Sequence, residues 1–487
     1  MDDLRELIEQ LSSGRISRRE FIRKAFMLGL SASAIGSILA ACGGGAGSTP
    51  TAGTSGGAAS SPSPSPSGSP KSSASAPPPT PTPYKPQSFG SKSAKVKIRY
   101  WTILSSVDGI VMNDLVRKFT EENPDIAVES LQGLTDFIQK MQAAAISGTA
   151  PDVALVRHTY IGPFALKNVL SELQTTELEE AGIKAEDYYP EVWKFTQFEG
   201  KQYTVPLDMH CHAMLYNKKI LKDNNVSVPT TLDEWTAVVE KVTKDGIIGY
   251  QTFALGAGAQ EYLTWYWYGI HKQFGGEMLS EDGTKAAFNT PEGIEAVKWM
   301  NDIQQKGNPK NAAITDLART GKVATWPDGP WISTLYFNPE KSPAAKDIDV
   351  VPLPQHDPKH KAVWGQSHQL ALPRQQSQDQ ARREASLRFI EWITRHSVDW
   401  AKAGQIPAHN SARQEALQSN DRYLMKLRAW AKQLPYLKFM PIHPAILEIM
   451  PRIAANVEGA ILGRWSVEQG LKQAENEVNQ ILARSGQ

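Results

Sequence analysis

From residue 95 the chain alternates charged and apolar positions, Lys95-Val96-Lys97-Ile98-Arg99-Tyr100-Trp101, and a period of two predicts a strand covered on one face. The next apolar residues, Val111, Met112, Leu115, Val116 and Phe119, recur at helical spacing, and Asn123-Pro124 ends that run because the residue before a proline avoids the helical region. A strand is expected over 126–131 and a helix over 136–147, with Phe137, Met141 and Ala144 on one side. A short buried strand follows at Pro151-Asp152-Val153-Ala154-Leu155-Val156. Strand, helix, strand, helix, strand is the rhythm of a parallel-rich α/β layer.

Further along, Thr231-Leu232-Asp233-Glu234 has the spacing of a capping box, and Trp235, Val238, Val239 and Val242 follow on one helical face until Gly246. Thr290-Pro291-Glu292 opens another helix, with proline at its first position and an acid near the positive end of the dipole. From 444 to 482 the pattern is almost wholly helical, and no internal repeat is visible.

The stretch before residue 94 has no such periodicity. Residues 25–41 carry no charge, but as a helix this run falls short of the ~30 Å hydrocarbon core. It ends Leu39-Ala40-Ala41-Cys42, which resembles the lipobox of bacterial lipoproteins and implies a diacylglycerol on Cys42. Upstream, Ser17-Arg18-Arg19-Glu20-Phe21-Ile22-Arg23-Lys24 resembles a twin-arginine export signal carried by Arg18 and Arg19, with an ordinary Sec signal the alternative. Residues 1–41 are therefore expected to be a signal peptide. Residues 42–93 collapse to Gly, Ala, Ser, Thr and Pro after the lipidated cysteine and are expected to be a disordered tether with a reach of about 40 Å.

Composition narrows the picture further. The chain has two cysteines, so with Cys42 lipidated Cys211 has no partner for a disulfide and stability must come from core burial. The 487 residues are 41% hydrophobic, enough for two domains. Residues 1–41 hold six Lys/Arg and five Asp/Glu, which leaves the rest of the chain formally neutral; no nucleic-acid footprint or polybasic membrane patch is present. No Gly-Lys pair precedes Ser or Thr, since Gly200-Lys201 meets Gln202 and Gly321-Lys322 meets Val323, so the phosphate-cradling loop is absent.

Four groups of segments, in order, make residues 95–482 resemble the sugar-type family 1 of extracellular solute-binding proteins. They are Gly148-Thr149-Ala150-Pro151-Asp152-Val153; Tyr203-Thr204-Val205-Pro206 running on to Leu215-Tyr216-Asn217-Lys218; Gly329-Pro330-Trp331; and Val351-Pro352-Leu353-Pro354 with Gly404-Gln405-Ile406-Pro407 and the closing 463–471. The resemblance implies an α/β, two-lobed periplasmic-binding-protein-like (type II) fold with hinge-crossing strands and a helical C-terminus. It divides the folded part into a first lobe of 94–206 plus 362–405 and a second of 207–361 plus 406–487. It further implies a monomer that captures a sugar or oligosaccharide by hinge closure and delivers it to the membrane permease of an ABC importer. The protein would sit on the outer face of the bacterial cytoplasmic membrane, held by its lipid alone. No enzymatic activity and no cofactor are expected.

Sugar capture needs aromatic faces for pyranose rings and planar polar groups for paired hydroxyls. The resemblance makes Trp331 the foremost platform among thirteen Trp. Trp265 and Trp267 lie in a helical stretch whose rings point different ways, so at most one or two of 265–268 reach a cleft. Trp101 and Trp364 fall at expected strand ends or loops, where clefts of α/β sheets form. On the polar side stand Arg157 and His158 after the buried strand, Asp208 and His210 on the crossing segment, and Gln366 and His368 on the returning one.

His210-Cys211-His212 invites a metal reading, but extended backbone turns the thiol away from the two imidazoles and no Cys-x-x-Cys or His-Glu-x-x-His supports it; no metal is expected. Two rival readings are a secreted carbohydrate-active enzyme and a ligand sensor of the same fold. The enzyme lacks a nucleophile elbow, because Gly365-Gln366-Ser367-His368-Gln369 has no closing glycine; the sensor is inseparable from transport in sequence.

Overall fold

The computed structural model describes residues 86–105, 107–134, 136–252, 260–307, 314–377 and 379–485. The signal stretch, Arg18, Arg19, Cys42 and the tether as far as 85 lie outside them. Everything described belongs to one unit of the chain, residues 81–487.

The alternation at 95–101 becomes the strand Val96–Trp101, with Ile98 and Tyr100 buried and Lys97 exposed. It pairs in parallel with Ile126–Leu131 on one side and Val153–Arg157 on the other. The helices Val107–Glu122 and Phe137–Ser147 make the crossovers, and Met112, Leu115, Val116 and Phe119 turn the first of them onto the core. There Phe119 meets Phe389 of the helix Gln380–Arg395 edge to face at 5.1 Å. Two antiparallel strands, His368–Ala371 and Thr204–Pro206, complete one side of this six-stranded sheet. At its other edge the structure corrects the tether: Gln87–Phe89, expected within it, pairs antiparallel with residues 128–130, and Phe89 gives this edge an apolar anchor on the core.

A second sheet joins Ile248–Tyr250, Val323–Asp328, Ala213–Asn217 and Ile348–Pro352 in that order. The helix Leu232–Val242 covers it after a reciprocal cap in which Thr231 and Glu234 each accept the other's backbone N–H at 3.2 Å. Trp235 on that helix is fully buried and donates its Nε1–H to Thr325 at 2.8 Å.

A third sheet, Ile406–Pro407, Asp208–Cys211, Val363–Gln366 and Leu437–Phe439, stands between the other two along the chain. Only Leu207 separates Thr204–Pro206 of the first sheet from Asp208–Cys211, only His212 separates that strand from Ala213–Asn217 of the second, and only Ser367 separates Val363–Gln366 from His368–Ala371. These one-residue joints force the crossing strands to carry their side chains to the junction of all three sheets.

Two glycines allow the close approaches that build this junction. A Cβ on Gly269 would lie 2.9 Å from the backbone nitrogen of Trp364, so the helix Gln260–Gln273 seats directly on the strand Val363–Gln366. Gly404 has φ +99°, and a Cβ there would lie 1.9 Å from the carbonyl oxygen of Pro330. The C-terminal pattern becomes the helices Ile446–Ile461 and Val467–Ser485. Among the described residues no helix is long and apolar enough to cross a membrane.

Candidate functional site

Asp208 is the centre of the junction. Its strand alternates, so Asp208 and His210 share one face while Cys211 turns to the other, where its thiol lies 3.7 Å from the carbonyl of Trp430. The Asp208 carboxylate is fully buried and accepts from the backbone N–H of His368 at 2.9 Å and from Trp400 Nε1 at 2.7 Å. Its oxygens also lie 2.8 Å from His368 Nδ1 and 3.3 Å from His210 Nδ1. Burial alone would raise this carboxyl, but the neighbouring imidazoles of His368 and His210 outweigh it and hold the group well below its usual range. Register fixes the array: Gln366 pairs with His210 and His368 with Arg157, and Gln366 Oε1 lies 3.1 Å from His210 Nε2.

Around this node stands an aromatic wall drawn from three elements. Trp364 is stacked between Trp265, with ring centroids 4.6 Å apart, and His212, also at 4.6 Å. Trp331, only partly buried, meets His210 at 5.5 Å, His212 at 6.1 Å, Trp265 at 6.3 Å and Trp364 at 6.4 Å. Its turn follows Asp328, whose carboxyl burial pushes up to about 7. The indole N–H groups of Trp265 and Trp364 and the amide nitrogen of Gln366 are buried without a protein partner, so this wall offers donors to an acceptor-rich molecule.

At the rim, Arg157 stacks over Trp265 at 5.1 Å and donates to both oxygens of Glu261 at 2.7 Å. His158 is fully buried between Phe195 and Phe439, with Nε2 3.3 Å from the carbonyl of Met440. Burial pushes it down to about 3, so it is neutral near pH 7.

Nine of the eleven sequence candidates thus fall in or beside one cluster: Arg157, His158, Asp208, His210, Trp265, Trp331, Trp364, Gln366 and His368. The other two do not join it. Trp267 points to the opposite side of its helix and stacks on His271 at 4.9 Å; Trp101, the last residue of its strand, packs on a smaller core with Phe137 and Val156. Trp364 corrects its expected strand-end or loop position, because it lies inside the strand Val363–Gln366 and is fully buried by Trp265 and His212. Sequence reasoning missed Glu261 and Tyr262, and the spacing that finds them is helical: both precede Trp265 by about one turn, and Tyr262 meets its ring at 4.8 Å. It also missed Trp400, which no local pattern links to Asp208. Two surface hollows, of about 390 and 610 Å³, are lined by other residues, around Asn217 and Asp347 and around Glu172 and Trp193.

Comparison with known proteins gives this geometry its setting. The family of bacterial extracellular solute-binding proteins matches residues 100–399. A maltodextrin-binding protein of Bacillus subtilis is 22% identical over 391 residues, covering 75% of this chain and 85% of its own. A diacetylchitobiose-binding protein of Streptomyces coelicolor is 25% identical over 389 residues, covering 76% and 86%. The crystal structure of a cyclic alpha-maltosyl-1,6-maltose binding protein from Arthrobacter globiformis superposes with a TM-score of 0.67 at 22% identity, over 80% of this chain and 99% of that one. This likeness establishes the two-lobed type II solute-binding fold.

Proposed function

Because the chain belongs to the bacterial extracellular solute-binding protein family, we propose that it captures a sugar or oligosaccharide outside the cytoplasmic membrane and hands it to the permease of an ABC importer. The observation that carries this reading is the wall of Trp265, Trp331 and Trp364 with unpartnered donors beside it. Aromatic faces suit the apolar faces of pyranose rings, and indole and amide N–H groups suit hydroxyl oxygens. The capture step is hinge closure between a first lobe of 94–206 plus 362–405, extended by the strand Gln87–Phe89, and a second of 207–361 plus 406–487. A ligand touching both lobes favours the closed state by its extra contacts there.

The experiment is a calorimetric panel of sugars, oligosaccharides, polyols, sugar acids and glycerol phosphates. The expected result is one-to-one binding of a carbohydrate that is released unchanged; a product peak after incubation overturns binding without turnover. Trp331→Ala is expected to weaken that binding at least tenfold while the protein stays folded, and unchanged affinity removes Trp331 from the site.

The protein acts as a monomer tethered by a diacylglycerol on Cys42 after export through the signal containing Arg18 and Arg19. Cys42→Ser is expected to release it from membranes, and persistent membrane association overturns the lipid anchor.

A further inference from the structure

The node at Asp208 does more than present hydrogen bonds. Asp208, His210 and His368 each offer one ligand atom, and these three atoms lie within 4.8 Å of one another in a buried setting. We propose that the three side chains form a binding site for a first-row divalent metal ion of the zinc class, with its remaining coordination positions left to water or solute once the lobes part. Two imidazoles and a carboxylate are the donor set such ions take, and three protein donors leave room for water or for oxygen atoms of a bound solute.

The wiring of His210 supports a cation. Its Nε2 lies 3.1 Å from Gln366 Oε1 and its Nδ1 lies 3.3 Å from Asp208 Oδ1, and both of these oxygens are acceptors. A neutral imidazole has one N–H, so once Nε2 donates to Gln366 the lone pair on Nδ1 faces a carboxylate. A cation shared by the two removes that conflict. Turning over the Gln366 amide removes it without a cation and predicts no metal uptake, so the two wirings are separable.

The surroundings are those of a supported metal site. Trp400 Nε1 and the backbone N–H of His368 hold the two oxygens of Asp208, and Gln366 orients His210, which are the outer contacts that fix ligand geometry. Asp208 and His210 come from alternate positions of one strand, and His368 opens another just two residues after Gln366, which pairs with His210. His210-Cys211-His212 misled as a sequence motif because the third donor lies 158 positions beyond His210, while Cys211 faces the other way and His212 stacks on Trp364. Entry to so buried a site needs the lobes to part, and in that respect the inference rests on the hinge reading.

The test treats the full-length protein with a chelator, removes the chelator, and titrates with cobalt(II) chloride in the absence of any solute. The expected result is one Co²⁺ per chain with visible d–d absorption of a nitrogen- and oxygen-ligated ion, displaced by Zn²⁺. His210→Ala and His368→Ala are each expected to lose at least about tenfold in affinity, while the exposed His360→Ala loses none. Absence of stoichiometric uptake by the wild type overturns the site, and needs no variant to fold. Uptake that persists unchanged in folded His210→Ala also overturns it. Carbohydrate titration with chelator present reads the capture function separately, so failure of one reading is distinct from failure of the other.

Discussion

Asp328 ends its strand one residue before Gly329-Pro330-Trp331, and its buried carboxylate accepts from Gly329 N–H at 2.8 Å and from the Tyr336 hydroxyl at 3.1 Å. Burial outweighs both bonds and pushes it from 3.8 up to about 7. Between those values the folded state keeps a proton that the unfolded chain has lost. The stability this group contributes is therefore complete below pH 3.8 and is lost as pH rises through about 7. Asp328→Asn keeps the shape without the charge. It should gain about 1 to 3 kcal/mol over the wild type at pH 8 and almost nothing at pH 4, read from denaturation curves; an equal difference at both pH values would refute the assignment. His158 runs the other way: lowered from 6.5 to about 3 by burial, it costs stability as pH falls through that window. The acid limb it causes should survive in Asp328→Asn. Neither environment is legible in sequence, because each depends on burial by residues distant along the chain.

Gly404 shows how one backbone position holds an element in place. Its φ of +99° is strained for any side chain, and a Cβ would collide with the Pro330 carbonyl at 1.9 Å, whereas Gly246 has φ +81° with nothing within 4 Å of a Cβ. Gly246→Ala should cost only the backbone strain, about 1 to 2 kcal/mol. Gly404→Ala should cost about 3 kcal/mol or more and also weaken solute binding, because the displaced turn carries Trp331. Equal losses by chemical denaturation would show that the Pro330 contact gives way freely. The cap at Thr231 is a milder case, and Thr231→Ala should cost about 1 kcal/mol with binding unchanged. Elements of this kind were readable: periodicity placed Ile126–Leu131 and the helix at Val107–Glu122, and the Thr-x-x-Glu spacing placed the helix Leu232–Val242. The edge strand Gln87–Phe89 was not, since three residues give no period and their stability comes from pairing with 128–130. Trp364 was misplaced for a related reason: Gly365 beside it reads as a loop, but here lets Leu437 pack at 3.2 Å from where its Cβ would be.

Across the whole molecule, the site joins positions from 157 to 400, and no local signal brings them together; only the order of the family segments pointed to the crossing strands. The contact between Arg157 and Glu261 shows what this assembly does mechanically. Arg157 ends a strand of the first sheet, and Glu261 lies on the helix that seats on the third, so in the hinge reading the pair spans the two lobes. Its side chains are 17% and 32% exposed, a setting between a screened surface pair and a desolvated one, worth about 1 to 2 kcal/mol. Burial would lower the guanidinium's hold on its proton, but Glu261 more than offsets this and keeps it charged. If the pair favours the closed state, removing one charge shifts the population toward the open one, and the apparent affinity falls by the fraction of closed protein lost. Glu261→Gln should therefore bind its solute about 5- to 30-fold more weakly, the free-energy range above converted at 1.4 kcal/mol per decade. The change should lie in the dissociation rate, since the solute's contacts with each lobe persist. In X-ray scattering without solute, the variant should be more extended than the wild type, and added salt should narrow the gap by screening the wild-type pair. A variant with wild-type scattering but weakened binding would make Glu261 a direct solute contact rather than a latch, and one unchanged in both would show that closure is driven by the solute alone.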